Sequence, residues 1–302
     1  MSAVSRGVLA LRPVPRSFRV LSCIRLDEVL ILQGTPLLGA LFAMGPITTA
    51  KCVDLMVLAL GSSCLVAHVF LLNDWSGAST DLRDPNRAAR VFTARGISSR
   101  SAGILCVLLL LAGLLLLAPF GSAALALALT LAVLSTLYSA PAVAMKGVPL
   151  ASTVLHLAGG LVHFLLGYSV FHAPDARSVG IGSFFALTFA AGHLTHEARD
   201  HASDLLNGIQ TNAVKFGPAT NFLAGLLFFT TAYYLLFVLA VTAVVPRILV
   251  LTVTLYPLHM RWALRAWMAG LGFQNIRWLQ LRYRTLYAII GVVMALTTRL
   301  VV

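Results

Sequence analysis

The sequence predicts an all-α polytopic membrane protein, a helical bundle of about nine transmembrane helices around a central cavity. Hydrophobic residues make up 59% of the 302 residues, and only 11% are charged. Charged residues make up about 25% of an ordinary soluble domain. The mean hydropathy of +0.90 agrees with this difference. A soluble domain of this length could not bury so much apolar surface, but a bilayer can cover it.

Nine apolar stretches are long enough to cross a bilayer, which takes about 20 residues per helix. They lie near residues 28–46, 53–73, 101–119, 121–138, 150–171, 178–196, 219–241, 244–262 and 284–301. Residues 1–26 contain several arginines and no long apolar run. We therefore expect a basic cytoplasmic arm over 1–26, not a secretory signal peptide, and a single transmembrane domain over 27–302.

Lysine and arginine residues are distributed unevenly between the two ends of these spans. With nine crossings, only four of the 22 lie at the face opposite the N-terminus: Lys51, Arg177, Arg247 and Arg299. Because cytoplasmic loops carry the excess of basic residues, the N-terminus is predicted to be cytoplasmic, and we expect the inner (cell) membrane of a bacterium. The net charge of +12 then reflects contact with membrane lipid and not binding to nucleic acid.

Most acidic residues lie in two short segments that close the second and sixth spans. Six of the ten are found there: Asp74, Asp81, Asp84, Glu197, Asp200 and Asp204. Both spans run inwards in the predicted topology, so the two segments meet at the cytoplasmic face. At about 100° per residue, Asp74 and Asp81 share one helix face, and the acids of the second segment fall within about 60°. Such carboxylates repel one another unless a cation lies among them, and Mg²⁺ binds carboxylate and phosphate oxygens together.

Basic residues that suit phosphate oxygens lie near these acidic segments. Arg87 follows the first segment, and Lys215 follows the second. Lys146 lies in the loop between the fourth and fifth spans, a loop that starts at Tyr138 and contains Pro141. For each basic residue, contact with a lipid headgroup is an equally good interpretation.

Together, these three segments resemble the UbiA superfamily of intramembrane prenyltransferases over about residues 19–300. The family's first motif, N-D-x-x-D-x-x-x-D, is matched by Asn73, Asp74, Gly77 and Asp81. The second motif, D-x-x-x-D, is matched by Asp200 and Asp204, with Gly208, Thr211, Lys215 and Gly217 behind it. The linking Y-S-x-P…K is matched by Tyr138, Ser139, Pro141 and Lys146.

The resemblance implies a Mg²⁺-dependent prenyltransferase that moves a prenyl group from a polyprenyl diphosphate donor to a small aromatic or lipid acceptor within the membrane. It implies that Asp74 and Asp81 bind one Mg²⁺ and that Asp200 and Asp204 bind a second, which makes these four the expected catalytic residues. The expected substrate-binding residues are Asn73, Arg87, Tyr138, Lys146, Glu197 and Lys215. Candidate acceptors of the released proton are Asp74, the diphosphate and His193.

The sequence departs from the family's first motif at one position, because Gly77 replaces the middle aspartate. Water or Asp84 can compensate, the chain can catalyse a variant reaction, or it can be a catalytically inactive homologue. The variant reactions are a UbiA-type terpene cyclisation and prenyl transfer to a non-aromatic acceptor. A transporter is a further alternative, but its charged residues would lie near the middle of the bilayer and not at helix ends.

Overall fold

The structure, a computed structural model, describes residues 19–300, and the side chains of 299 and 300 are not included. Residues 1–18 of the predicted basic arm, and the side chain of Arg299, therefore lie outside the described residues. The end of the predicted arm is structured: Val20–Cys23 forms a 3₁₀ turn, and Arg25 precedes the first α-helix.

The described residues form eleven α-helices joined by short loops and 3₁₀ turns, without any strand between residues 19 and 300. The helices are α1 (Leu26–Leu32), α2 (Gly34–Ala43), α3 (Thr49–Asp81), α4 (Ser99–Leu117), α5 (Ser122–Ser139), α6 (Ala151–Tyr168), α7 (Ala176–Leu206), α8 (Asn212–Phe216), α9 (Pro218–Val241), α10 (Tyr256–Met268) and α11 (Phe273–Leu300). The all-α membrane bundle predicted from the sequence is confirmed.

Eight helical segments in the described part of the chain are long and apolar enough to cross a membrane. The remaining predicted span, 244–262, has a composite form. A 3₁₀ helix over Arg247–Leu255 continues directly into α10, which has Pro257 in its first turn. At about 2.0 and 1.5 Å per residue, the two pieces together reach about 37 Å, which is enough to cross the apolar layer. The predicted count of nine is therefore approximate.

Helices α3 and α7 are longer than a bilayer crossing requires. They contain 33 and 31 residues, or about 50 and 46 Å at 1.5 Å per residue, against an apolar layer of about 30 Å. Each begins at a side-chain cap, from Thr48 in α3 and Asp175 in α7. Their last turns, which carry the acidic segments, therefore have room to extend beyond the apolar layer.

Small residues allow close packing of the helices that surround the site. A Cβ on Gly39 of α2 would lie 2.2 Å from the backbone oxygen of Phe164 in α6, and one on Gly167 would lie 1.7 Å from that of Pro36. Only glycine permits this approach. Buried side chains from α2, α6, α7, α9 and α11 fill the region beside this contact, including Phe164 and Tyr233.

Candidate active site

The first acidic segment occupies the last turns of α3 and the loop that follows it. Asp81 is the last residue of α3, and Asp84 is buried in the loop. The Asp84 carboxylate accepts a hydrogen bond from the backbone N–H of Asn86 at 2.8 Å and lies 3.4 Å from Nε of Arg87. Asp84 therefore shapes the loop that presents the Arg87 side chain.

Arg87 joins the two acidic segments. Its Nη1 donates to Oδ1 of Asp81 at 3.1 Å, and its Nη2 donates to Oδ2 of Asp200. Burial disfavours the charge of Arg87, but the carboxylates of Asp200 and Asp81 outweigh that effect and raise its pKa. One guanidinium group thus contacts both predicted motifs, which brings α3 and α7 together at one face of the bundle.

Asp200 on α7 is held by a second arginine as well. Arg199 donates to the Asp200 carboxylate from Nε at 2.7 Å and from Nη2 at 2.9 Å. Its Nη1 donates to Oε1 of Gln280 on α11 at 2.7 Å. A cleft of about 270 Å³ opens beside Asp200, between α7 and the loop before α11. The position of Asp200 is therefore set from three elements of the chain.

Glu197, one turn before, is held mainly by neutral groups. Its carboxylate accepts hydrogen bonds from Nδ2 of Asn212 at 2.8 Å and from Oγ of Ser152 at 3.1 Å. Nε2 of His193 lies 3.0 Å from Oε1 of Glu197. All four side chains are buried, so this network fixes the end of α7 against α6 and α8.

Asp204 lies one turn beyond Asp200 and accepts a hydrogen bond from Oγ1 of Thr211 at 3.3 Å. It lies within electrostatic range of Asp200, Arg87 and Lys146. Lys215 is exposed at the end of α8. Across residues 19–298, no hydrogen bond or ion pair connects its side chain to the acidic residues.

Lys146 extends from the loop after α5 towards the position of the missing aspartate. Gly77 is buried, and a Cβ added to it would lie 3.6 Å from Nζ of Lys146 and 3.7 Å from Oδ2 of Asp81. The Lys146 ammonium therefore approaches the place where the family's first motif carries its middle carboxylate.

Asp74 is paired with a residue that the sequence analysis did not select. Arg25, just before α1, donates from Nε to Oδ2 of Asp74 at 2.9 Å and from Nη2 to Oδ1. The only sequence signal for this pair is a basic residue at the start of an apolar stretch, and many arginines share that property. Asn73, next to Asp74, keeps Oδ1 buried without a hydrogen-bond partner in the part of the chain that the structure describes.

Aromatic rings line the space beside the acidic residues. The rings of His156 and His193 stack with centroids 3.7 Å apart and planes 9° apart. Tyr138 packs edge-on against both, with its centroid 5.0 Å from that of His156 and 6.1 Å from that of His193. These three rings form an aromatic cluster between α5, α6 and α7, adjoining Glu197, with Tyr138 nearly perpendicular to the two histidines.

The donor atoms of this site are carboxylate oxygens, the ligands that Mg²⁺ prefers. Between residues 19 and 298, no three or more His, Cys, Asp or Glu side chains are already grouped at metal-binding distances. Instead, the Arg87 guanidinium stands between Asp81 and Asp200 and supplies the positive charge. The site therefore has the chemistry for a hard cation, and Arg87 marks where positive charge is needed.

Comparison with known proteins agrees with this geometry. The model of the UbiA prenyltransferase family matches residues 34–274. No curated protein matches the chain in sequence.

Several solved structures share the fold. A UbiA homologue from Archaeoglobus fulgidus bound to GPP and Mg²⁺ has a TM-score of 0.71 and 16% identity, over 94% of this chain and 99% of that one. An apo UbiA homologue from Aeropyrum pernix K1 has a TM-score of 0.72 and 18% identity, over 89% and 98%. A digeranylgeranylglyceryl phosphate synthase structure has a TM-score of 0.68 and 15% identity, over 93% and 97%.

The family match covers well over half of the chain and includes both acidic segments, so the resemblance predicted from the motifs is confirmed. The chain belongs to the UbiA prenyltransferase family.

Proposed function

We propose that this protein is a Mg²⁺-dependent prenyltransferase that moves a prenyl group from a polyprenyl diphosphate to an acceptor, an aromatic ring, within the membrane. The observation that carries the proposal is the contact of Arg87 with both Asp81 and Asp200, because it places the two acidic motifs in one shared space. Family membership supports the reaction class. Structures of a similar homologue with GPP or DMAPP and Mg²⁺ bound support the donor and the ion.

The carboxylates at the ends of α3 and α7 are the residues that would hold Mg²⁺. Asp200 faces Asp81 across the Arg87 guanidinium, and Asp204 and Asp74 lie within electrostatic range of Arg87. When bound, the ion neutralises the diphosphate leaving group so that the allylic C–O bond can break.

Basic side chains of the chain itself bind the diphosphate oxygens in this proposal. Lys146 and Arg87 lie at the inner side of the cluster, and both provide N–H donors for phosphate. The buried Oδ1 of Asn73 has no partner among the described residues, so Asn73 can accept a hydrogen bond from a metal-bound water. Lys215 is exposed and is the weakest of the proposed contacts.

The aromatic cluster of Tyr138, His156 and His193 supports an aromatic acceptor. A flat acceptor ring can pack against these rings, and the π face of an aromatic side chain such as Tyr138 can stabilise the developing allylic cation. Exclusion of water by the surrounding helices protects that cation from hydrolysis. His193 is the proposed acceptor of the proton that the ring loses, because its Nε2 lies 3.0 Å from the Glu197 carboxylate. Asp74 is less suited to this role, since it is already paired with Arg25.

We also place the site at the cytoplasmic face of a bacterial inner membrane. The support is the excess of Lys and Arg at the same end of the bundle as the acidic cluster. Thiol labelling of a Ser79→Cys variant that also carries Cys52→Ser, in intact and permeabilised cells, tests this orientation, because Ser79 is exposed on α3 and the exposed Cys52 lies near the opposite end of that helix. Labelling that requires permeabilisation is the expected result, and equal labelling in intact cells would contradict it.

The proposed reaction is tested with purified protein, Mg²⁺, short prenyl diphosphates and a panel of phenolic, quinone-precursor and lipid acceptors. We expect Mg²⁺-dependent release of diphosphate and a prenylated product, and no release with EDTA. Release without any acceptor would indicate a terpene cyclase, the alternative that Gly77 raises. If no donor releases diphosphate, the chain is an inactive homologue and the proposal is refuted.

A further inference from the structure

Gly77 has no backbone reason to be glycine. It lies inside α3, where glycine is less favourable than alanine, and it is not among the residues with positive φ. The nearest atoms to an added Cβ lie 3.6 to 3.8 Å away, at ordinary contact distance. All three are polar ends of side chains: Nζ of Lys146, Oδ2 of Asp81 and Oγ1 of Thr80. A larger residue at position 77 would therefore change the charge and the space around Lys146.

Each remaining carboxylate of the first motif already has a cation from the chain. Asp74 is paired with Arg25, and Asp81 with Arg87. Lys146 adds a third positive charge beside Gly77. With Asp84, which lies 3.4 Å from Nε of Arg87, three carboxylates and three side-chain cations leave this end of α3 with little net charge. A dication gains little from entering such a place, and the approaching Lys146 ammonium repels it.

The end of α7 differs in this respect. Glu197 is held by the neutral groups of Asn212 and Ser152, and Asp204 by the hydroxyl of Thr211. These contacts orient the carboxylates without cancelling their charge. The end of α7 therefore presents carboxylates that have no arginine or lysine partner, which leaves them available to a metal ion, although Asp200 is paired with arginine.

We propose that this protein holds the prenyl diphosphate with a single Mg²⁺ on the α7 side, and that Lys146 and Arg87 replace a second ion on the α3 side. This inference depends on the proposed function and specifies how its donor is bound. Gly77 permits this role of Lys146, because a carboxylate at position 77 would pair with the Lys146 ammonium and make it less available to phosphate. This narrows the set of metal ligands given in the proposed function: the α3 aspartates position Arg25 and Arg87 and do not bind a second ion. An ammonium group is a compact point charge that suits a phosphate oxygen.

The number of ions is measured directly by titrating Mn²⁺ into the full-length protein with geranyl thiodiphosphate, a donor analogue that resists ionisation, and following bound Mn²⁺ by electron paramagnetic resonance. One bound ion per chain is expected. Two bound ions would overturn the inference and leave the proposed function intact. If the analogue does not bind even with Mn²⁺ or Mg²⁺, the proposed function itself fails.

Metal-free binding of inorganic diphosphate in EDTA provides a second readout. We expect Lys146→Met to weaken this binding at least tenfold, and Arg100→Met to change it less than twofold. Arg100 is the matched control because it is an exposed basic residue at the start of α4, at the same end of the bundle. Equal affinities in the two variants would overturn the inference.

Substitutions at Gly77 test the same inference in case the Lys146→Met variant does not fold. Gly77→Asp places a carboxylate beside Lys146 and should weaken metal-free binding about as much as Lys146→Met does. Gly77→Asn adds nearly the same volume without charge and should retain most of the binding. If the two Gly77 variants bind diphosphate equally, charge at this position does not matter and the inference is wrong.

Discussion

The ends of α3 and α7 both carry acidic residues, but these residues have different hydrogen-bond partners at the two ends. On α3, Asp74 and Asp81 each accept hydrogen bonds from an arginine outside the helix. On α7, Glu197 and Asp204 are held by amide and hydroxyl donors, and only Asp200 is paired with arginine. The carboxylates at the first end are therefore balanced by cations of the chain, whereas two of those at the second end have no arginine or lysine partner.

This difference separates two roles that the sequence motifs assign alike. A carboxylate held by neutral donors is oriented but remains available to a cation. A carboxylate paired with arginine already has its counter-charge, so its main effect is to position that arginine. The two motifs of this chain are thus not equivalent halves of one symmetric metal site.

The largest expected effect is on the rate of diphosphate release, which should fall more when an aspartate of α7 is replaced by asparagine than when an aspartate of α3 is. We expect Asp204→Asn to lower the rate of diphosphate release by more than about a hundredfold, since even residues behind a metal ligand commonly cost ten- to a hundredfold. Asp74→Asn should lower it by roughly tenfold, because it only releases Arg25. Steady-state assays at saturating Mg²⁺ measure both, with folding checked by size-exclusion chromatography. Equal losses would show that the two ends act alike.

A smaller effect is expected from removal of the guanidinium that joins the two ends. Arg87→Met leaves Asp81 and Asp200 facing each other without a cation, so the variant should unfold at a lower temperature in EDTA. Mg²⁺ should restore more stability to this variant than to the wild-type protein, because the ion can take the vacated place. Thermal unfolding with and without Mg²⁺ tests this expectation.

Arg83→Met serves as the control for that experiment, because Arg83 is an exposed arginine in the same loop. Its unfolding temperature should stay close to that of the wild-type protein, with no additional response to Mg²⁺. If Arg83→Met and Arg87→Met respond alike to the ion, then Mg²⁺ does not occupy the place that the Arg87 guanidinium leaves between Asp81 and Asp200.

The smallest expected effect concerns the neutral donors on α7. Asn212→Leu removes the 2.8 Å hydrogen bond to Glu197, so the Glu197 carboxylate loses one of its hydrogen-bond donors. Loss of a partner for a buried polar group costs about 1–3 kcal/mol of the free energy of unfolding. Ser152→Ala removes one weaker donor at 3.1 Å and should cost less. Chemical denaturation gives both values, and a larger loss for Ser152→Ala would contradict the assigned order.

Helical periodicity is enough to predict which acidic residues share a face, because their spacing along the helix depends only on 3.6 residues per turn. It did not identify Arg25 or Asn212, whose partners Asp74 and Glu197 are 49 and 15 positions away in the chain. Pattern analysis also treated 244–262 as one span, whereas a 3₁₀ helix over Arg247–Leu255 leads into α10 there. Apolar composition alone does not distinguish a 3₁₀ helix from an α-helix.

The sequence by itself determined that this is a helical membrane protein and which family its motifs belong to, because composition and spacing are local properties of the chain. Only the tertiary structure decided which cation meets which carboxylate. Lys146 lies 69 positions beyond Gly77 in the sequence, yet its ammonium approaches the place that Gly77 leaves open. Such a pairing depends on how the helices pack, and electrostatic attraction between distant residues leaves no periodic signal in the chain.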